Sequence, residues 1–252
     1  MGLAISPASA AELAPWRERR AAEASGPFVS DRTHQREGWS QGYLLSEDGA
    51  TVGYGALLVG HIWQGQRLIF QFYLELEYRD RANDIFEALA EATQATGIRG
   101  KTDDPQLAPF LGRAGGEVWV EKLLFQNRAA TAFPAPNCRF RALPPEEASR
   151  VFEHKREPVG NWALERDGEV VATGSCPLQP SRKFGELSYE VARSFRRQGL
   201  GTYLVQELKR VTRESDAIPC ARCDPDNEAS RRTLLKAGLA VCGDLRTVKF
   251  GH

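Results

Sequence analysis

The sequence predicts an α/β protein built from one module written twice. Three recurrences support this. A strand, an Asp-Gly turn and a second strand appear around Gly49 and again 119 residues later around Gly168. An aromatic-Arg pair opening an amphipathic helix appears at Tyr78-Arg79 and again at Phe195-Arg196, with the arginines 117 residues apart. A helix ending in Ala-Gly appears at Ala114-Gly115 and at Ala237-Gly238, with the glycines 123 apart. Landmarks at nearly constant offset mark an internal repeat, and a repeat decides the whole fold.

Each element has a local reason. Leu3-Ala4-Ile5 reads as an opening strand, and Ser9-Ala10-Ala11-Glu12 as the start of the helix after it. The hairpins rest on Asp-Gly, because both central positions of a two-residue turn need positive φ. The apolar runs Leu68–Leu74 and Leu187–Val191 read as the next strands. Ile85, Phe86 and Leu89 in one helix, and Leu200, Leu204 and Leu208 in its counterpart, fall at helical spacing. Short strands follow near Ile98-Arg99 and Cys220–Cys223, and then the helices that end in glycine, a helix C-cap signature. The seam lies near Phe133-Pro134-Ala135-Pro136-Asn137, where two prolines interrupt the pattern. Cys138–Leu143 opens the second copy, and Pro144-Pro145-Glu146-Glu147 suits a helix start with acids in its first turn.

Composition narrows the function. The 33 basic and 33 acidic side chains of the 252 residues cancel, so no strong positive field favours nucleic acid or an anionic membrane. The N-terminus lacks the basic start and apolar run of a signal peptide, and no apolar stretch approaches the roughly 20 residues that span a bilayer. Five cysteines, an odd count, argue against a disulfide framework. A cytoplasmic protein is the expectation. Cys220-Ala221-Arg222-Cys223 has the gap of a zinc knuckle but no second ligand pair, so it reads as two small residues of a buried strand, and no metal is expected. His34, His61 and His154 read as surface or packing residues. The five tryptophans read as core or interface residues, those of the first half also suiting a substrate cleft.

The chemistry concentrates in Val191-Ala192-Arg193-Ser194-Phe195-Arg196-Arg197-Gln198-Gly199-Leu200-Gly201-Thr202, which runs from a strand end through a turn into a helix. The first N–H groups of a helix have no intrahelical partner, and its dipole favours negative charge. Gly199 and Gly201 remove side chains that would hold a phosphate away, and Arg196 and Arg197 add positive charge beside the same point. No Gly-Lys-Ser/Thr follows, so this is not a P-loop, and the third glycine of a dinucleotide fingerprint is missing. On the loop alone, a diphosphate site and a plain glycine-rich turn with surface arginines both stand. Asn227, at a later strand-to-helix boundary, likewise suits a simple N-cap.

Together the two segments resemble the paired signature of the GNAT N-acetyltransferase superfamily. Arg196-x-x-Gly199-x-Gly201 matches its pyrophosphate loop. Asn227, Ser230, Lys236 and Gly238 match its Asn-x-x-Ala/Ser…Lys-x-Gly-Phe helix, with Leu239 in place of phenylalanine. The match covers about residues 138–250. It implies two GNAT-like modules, each a mixed, mostly antiparallel sheet flanked by helices. Residues 1–133 would be a degenerate copy and 138–252 the copy with the cofactor site. Acetyl-CoA, the acyl donor, would lie in a V-shaped opening between the fourth and fifth strands. Val191 and Arg193, with Ala192 between them, would meet the thioester end and pantetheine through their backbones. The amides from Arg196 through Arg197, Gln198, Gly199, Leu200 and Gly201 to Thr202 would hold the pyrophosphate, and Asn227 would contact pantetheine. The acceptor would be the amine of a small molecule or peptide, attacking the thioester directly with no covalent acyl-enzyme.

Direct attack needs a neutral amine, so a base must take its proton. Glu186 is the first candidate and Glu190 the second; four residues apart, they share one face of an extended strand. The family's usual tyrosine, which protonates the thiolate, falls on Leu234 here, so either another group does this, with Tyr189 and Ser230 as candidates, or water does. In the first copy Ala82 and Asp84 replace Gly199 and Gly201, and Asp104 and Leu107 replace Asn227 and Ser230. An aspartate there repels a pyrophosphate. An acyl-CoA-binding regulatory module without turnover, and an interaction protein without cofactor, are the competing readings. The acceptor's identity, the acyl length and the oligomeric state are not encoded legibly.

Overall fold

A computed structural model describes residues 2–24, 26–27, 33, 36–60, 63, 65–113, 115–148, 160–179 and 183–251. His34, His61, His154 and Ala114 lie outside the described residues. The chain forms two compact units, residues 1–122 with 243–252, and residues 123–242.

The elements of the first half are β1 (Leu3–Ala8), α1 (Ala10–Glu23), β2 (Ser40–Glu47), β3 (Ala50–Leu58), β4 (Leu68–Leu74), a 3-10 turn (Leu76–Arg81), α2 (Ala82–Ala92), β5 (Gly97–Lys101), α3 (Ala108–Leu111) and β6 (Gly115–Asn127). The second half follows with β7 (Arg139–Ala142), α4 (Pro145–Ala148), β8 (Trp162–Arg166), β9 (Glu169–Ser175), β10 (Phe184–Glu186) and β11 (Ser188–Val191). After these come a 3-10 turn (Arg193–Phe195), α5 (Leu200–Glu214), β12 (Ile218–Cys223), α6 (Glu228–Lys236) and β13 (Leu239–Phe250).

Local chemistry explains the punctuation. Ser9 caps α1 in a reciprocal capping box with Glu12. Both Asp-Gly turns are left-handed at both positions, with φ of 48° and 86° at Asp48 and Gly49 and of 51° and 79° at Asp167 and Gly168. Gly238 follows α6 at φ 83°, and a Cβ there would sit 2.6 Å from the Ala129 carbonyl oxygen. No other residue ends the helix this way without strain. The seam from 128 to 138 carries no helix or strand and lies inside the second unit.

In the first unit β1, β2, β3 and β4 pair antiparallel in order, β4 pairs parallel with β5, and Leu245–Lys249 of β13 pair antiparallel with β5. In the second unit β7, β8, β9 and β11 form an antiparallel sheet. There β10 runs parallel to β12, and β12 pairs antiparallel with Leu123–Gln126 of β6. Most pairings are antiparallel, and each unit has one parallel pair. Both parallel ladders are short: the first stops at Ile69↔Ile98 and the second at Glu186↔Cys220.

The cores follow the helical stripes read from the sequence. Ile85, Phe86 and Leu89 of α2 pack with Leu45, Phe72, Ile98 and Phe110, and Phe86 stacks on Phe110 at 3.9 Å. Leu200, Leu204, Val205 and Leu208 of α5 pack with Phe125, Leu164, Leu187 and Leu234. Among the described residues no helix is long and apolar enough to cross a membrane.

Candidate functional site

The site is built where the fourth strand of the second unit breaks. Glu186 closes the ladder with β12, and Leu187 donates to the Cys220 carbonyl at 2.7 Å. From Ser188 the chain pairs with β9 instead, so the segment changes sheets while β12 runs on toward β6. The resemblance implies a V-shaped opening between these two strands.

Beyond β11 the loop residues Arg193, Ser194, Arg196, Arg197, Gln198 and Gly199 are exposed, and Phe195 is half-buried. Two residues adopt left-handed φ, Arg197 at 63° and Gly199 at 82°. Gly199 is the N-cap of α5 and no side chain caps the helix. The first intrahelical bond runs from the Tyr203 N–H to the Gly199 carbonyl at 3.1 Å, so the N–H groups of Leu200, Gly201 and Thr202 precede it. A Cβ at Gly199 would meet nothing within 4 Å, so this glycine serves its backbone angle and the approach to the turn is open. Uncapped donors, a helix dipole and open space are the features that suit an anion. Arg193 and Arg197 make no ion pair among the described residues, whereas Arg196 donates from Nε to the Val191 carbonyl at 3.0 Å. That carbonyl, one of the backbone groups expected to meet pantetheine, already has a partner.

Asn227 is an N-cap: its Oδ1 accepts from the Ser230 N–H at 3.0 Å and fixes the start of α6. The Tyr189 hydroxyl lies 3.0 Å from Ser230 Oγ and 3.3 Å from the Ser230 carbonyl. The sequence's two substitute donors therefore touch. Burial pushes the Tyr189 phenol above its usual range, partly opposed by hydrogen bonds from Ser230 and Thr233, which keeps it protonated at neutral pH. Leu234 is completely buried among the α5 core residues, where a tyrosine hydroxyl would have needed a buried partner.

Leu187, Tyr189 and Val191 pack toward α5 and α6, so strand alternation turns Glu186, Ser188 and Glu190 to the opposite face. The two carboxylates are differently tied. Glu186 accepts from Arg222 Nε of β12 at 2.8 Å, while Glu190 faces the Arg196 guanidinium at 3.7 Å. Cys220 and Cys223 are buried in β12, and no group of metal-binding side chains occurs among the described residues. Burial raises the Cys176 thiol above its usual range, which suits a packing residue rather than a nucleophile.

Two side chains that the sequence did not single out matter to the site. Arg166, at the end of β8, donates to the Gln198 side chain in the loop. In the first unit, the Gln106 carboxamide accepts from the Leu74 N–H at 2.7 Å and donates to the Leu74 carbonyl at 3.2 Å. Leu74 and Val191 are 117 residues apart, the repeat offset of the arginines. Both contacts link residues 32 apart in sequence, and neither glutamine nor arginine at a strand or helix end carries a local signal for it.

Solved structures share this mixed α/β architecture over the whole chain. The chain is similar to an acetyltransferase from the GNAT family of Colwellia psychrerythraea, with 14% identity over 98% of this chain and 100% of that one, at a TM-score of 0.79. It is also similar to a tandem GNAT protein from the clavulanic acid biosynthesis pathway, with 14% identity over 100% and 99% of the two chains and a TM-score of 0.64. A GCN5-related N-acetyltransferase from Sphaerobacter thermophilus matches with 14% identity over 98% and 95% and a TM-score of 0.62. At these identities the likeness establishes the fold. Residues 127–239 match the model of the acetyltransferase (GNAT) family. No curated protein sequence matches the chain.

Proposed function

We propose that the protein transfers an acyl group, in the first instance acetyl, from acyl-CoA to the amine of a small molecule or peptide. The observation that carries this reading is the uncapped start of α5 behind a loop with left-handed Arg197 and Gly199, at the strand break where the β10–β12 ladder ends. The amides from Arg196 to Thr202 would hold the diphosphate. The Asn227 side chain and the backbone of Val191 to Arg193 would hold pantetheine. Residues 138–252 would form the cofactor-bearing module and residues 1–133 a module without that site. An acyl-CoA supply makes the cytoplasm the expected compartment.

Acyl-CoA supplies an activated thioester carbonyl. The remaining steps are proton handling by this chain. As the amine nitrogen bonds to that carbonyl and the carbon–sulfur bond breaks, one proton leaves the nitrogen and one must reach the sulfur. Glu190, next to Tyr189 on β11, takes the first task in this reading, and Glu186, which accepts from Arg222 at 2.8 Å, is the alternative. Tyr189, held by Ser230 and protonated at neutral pH, suits the second.

The test combines acetyl-CoA titration by calorimetry with thiol release against a panel of amines. We expect one binding event per chain and amine-dependent thiol release. Glu190→Gln should slow release by about 100-fold or more, as loss of a general base does. Tyr189→Phe should slow it by about tenfold, since water can replace a proton donor to sulfur less effectively. A wild-type chain that does not bind acetyl-CoA overturns the proposal. Tight binding with no thiol release from any amine would instead support the second reading, an acyl-CoA-responsive regulatory module. That alternative draws on the buried Leu234, where the family's acid would stand.

A further inference from the structure

The turn that presents α5 is strained. Arg197 and Gly199 are both left-handed, and Gln198 lies between them on an exposed stretch of backbone. Left-handed φ costs a non-glycine residue roughly 1–2 kcal/mol and persists only where its surroundings impose it. Two side chains hold the turn from its flanks. Arg196 reaches back to the Val191 carbonyl and ties the near side of the turn. Arg166 ties the far side: its Nη1 donates to Gln198 Oε1 at 2.7 Å and its Nη2 to the Pro136 carbonyl at 2.7 Å. The same guanidinium lies 5.8 Å from the Phe195 ring centroid. One planar cation thus joins the residue between the two left-handed positions, the aromatic that precedes the loop, and the seam.

We propose that Arg166 is a positioning residue for the acyl-CoA site, holding Gln198 so that the α5 N–H groups stay turned outward to receive the diphosphate. The inference rests on the function proposed above. Its chemistry needs arginine. A lysine offers one point charge and cannot span Gln198, Phe195 and Pro136 with a fork.

Calorimetric titration of the full chain with acetyl-CoA tests it, using wild type, Arg166→Met, Arg166→Lys, Gln198→Leu and the double variant Arg166→Met with Gln198→Leu. Each single change should weaken binding about tenfold. The double variant should bind no more weakly than the worse single, because both changes remove the same bond. In turnover assays the KM for acetyl-CoA should rise about tenfold while kcat at saturation stays within about twofold. A residue that acts only through Gln198 also leaves the ratio of affinities for CoA and 3′-dephospho-CoA unchanged. Additive losses, wild-type affinity in both single variants, or collapse of that ratio to the Arg166 variants' disadvantage would each overturn the positioning role. Gln198 is exposed, so its variant keeps the test open if Arg166 variants fail to fold. Absence of binding in the wild type removes both proposals, whereas wild-type binding with indifferent variants removes this one alone.

Discussion

In the first unit the 3-10 turn after β4 runs straight into α2, whereas in the second the residues 196–199 separate the turn after β11 from α5. The two turns begin alike. Arg79 Nε reaches back to the Leu74 carbonyl at 3.1 Å, as Arg196 Nε does to Val191 at 3.0 Å. They then part. In the first unit the Ala82 N–H is already donated to the Arg79 carbonyl, and no residue from 76 to 84 is left-handed. The preceding turn consumes a donor that a helix start would otherwise offer. In the second unit the left-handed pair breaks that continuity, and the N–H groups of Leu200, Gly201 and Thr202 precede the first intrahelical bond. The openings beside them differ in the same sense. Gln106 hydrogen-bonds both backbone groups of Leu74 at the first, while its counterpart at the Asp104-to-Asn227 offset of 123 is Ala229, which has no such reach. The backbone groups of Leu74 are thus satisfied from within the first unit, through hydrogen bonds that also stabilise it.

The sharpest way to break this contrast is to give the second unit the first unit's residue. Gly201→Asp places a carboxylate among the diphosphate donors and should weaken acetyl-CoA binding by about 100-fold or more, read by calorimetry. Folding should survive. A Cβ at Gly201 meets Thr233, Val191 and Tyr189 at 3.5–3.8 Å, ordinary contact distances. A carboxylate at a helix N-terminus stabilises it by about 0.3–1 kcal/mol, so the melting temperature should hold or rise while binding disappears.

A second variant tests the closed opening. Asp104 is buried, accepts from the Gln106 and Leu107 N–H groups at 3.1 Å, and pairs with Arg20 at 2.5 Å. Burial works to raise its pKa, but Arg20, the Leu107 N–H and Lys101 outweigh it and hold the carboxyl below its usual range. Asp104→Ala removes the buried carboxylate that pairs with Arg20 and caps the Gln106 and Leu107 N–H groups, and should cost about 3 kcal/mol in denaturant unfolding at pH 7. A lowered native pKa contributes stability above the unfolded value of about 3.9 that is lost as pH falls below it. The deficit of the variant should therefore shrink at pH 3, and its acetyl-CoA affinity at pH 7 should match wild type.

The smallest expected effect concerns Lys209, buried under α6 with Nζ donating to the Ala129 and Ala237 carbonyls at 2.7 and 2.5 Å. Burial, and then repulsion from Arg213, pushes its pKa down to about 8. The folded protein releases this proton before the unfolded chain does, so its contribution to stability grows as pH rises through about 8 toward the ordinary lysine value of about 10.4. A neutral amine keeps two N–H donors, enough for both carbonyls. Unfolding free energies at pH 7.5 and 9.5 should show wild type gaining on Lys209→Met at the higher pH. Equal change in both would remove the assignment.

What could be read in the sequence was what acts over a few residues. The Asp-Gly turns, the Ser9–Glu12 capping box, the Asn227 cap and Gly238 each announce themselves because their backbone demands are local. The shared face of Glu186 and Glu190 also followed, since alternation survives the strand break at Leu187. What stayed hidden were partners brought together by the fold: Arg222 beside Glu186, Arg166 beside Gln198, Gln106 beside Leu74, and Lys209 beneath Ala129, 80 residues away. A carboxylate's neighbours decide its usefulness, and those neighbours are not local in sequence. Leu234 told only what was missing, and the contact of Tyr189 with Ser230 was needed to show what stands nearby.

Strands β6 and β13 close each other's ancestral sheets: Leu123–Gln126 complete the second unit, and Leu245–Lys249 return to complete the first. Scission in the proline-bearing seam would thus leave each fragment lacking a closing strand and exposing raw ladder edges to aggregation. Each half of the chain thus owes one strand of its sheet to the other, and neither can be separated without losing part of its ladder.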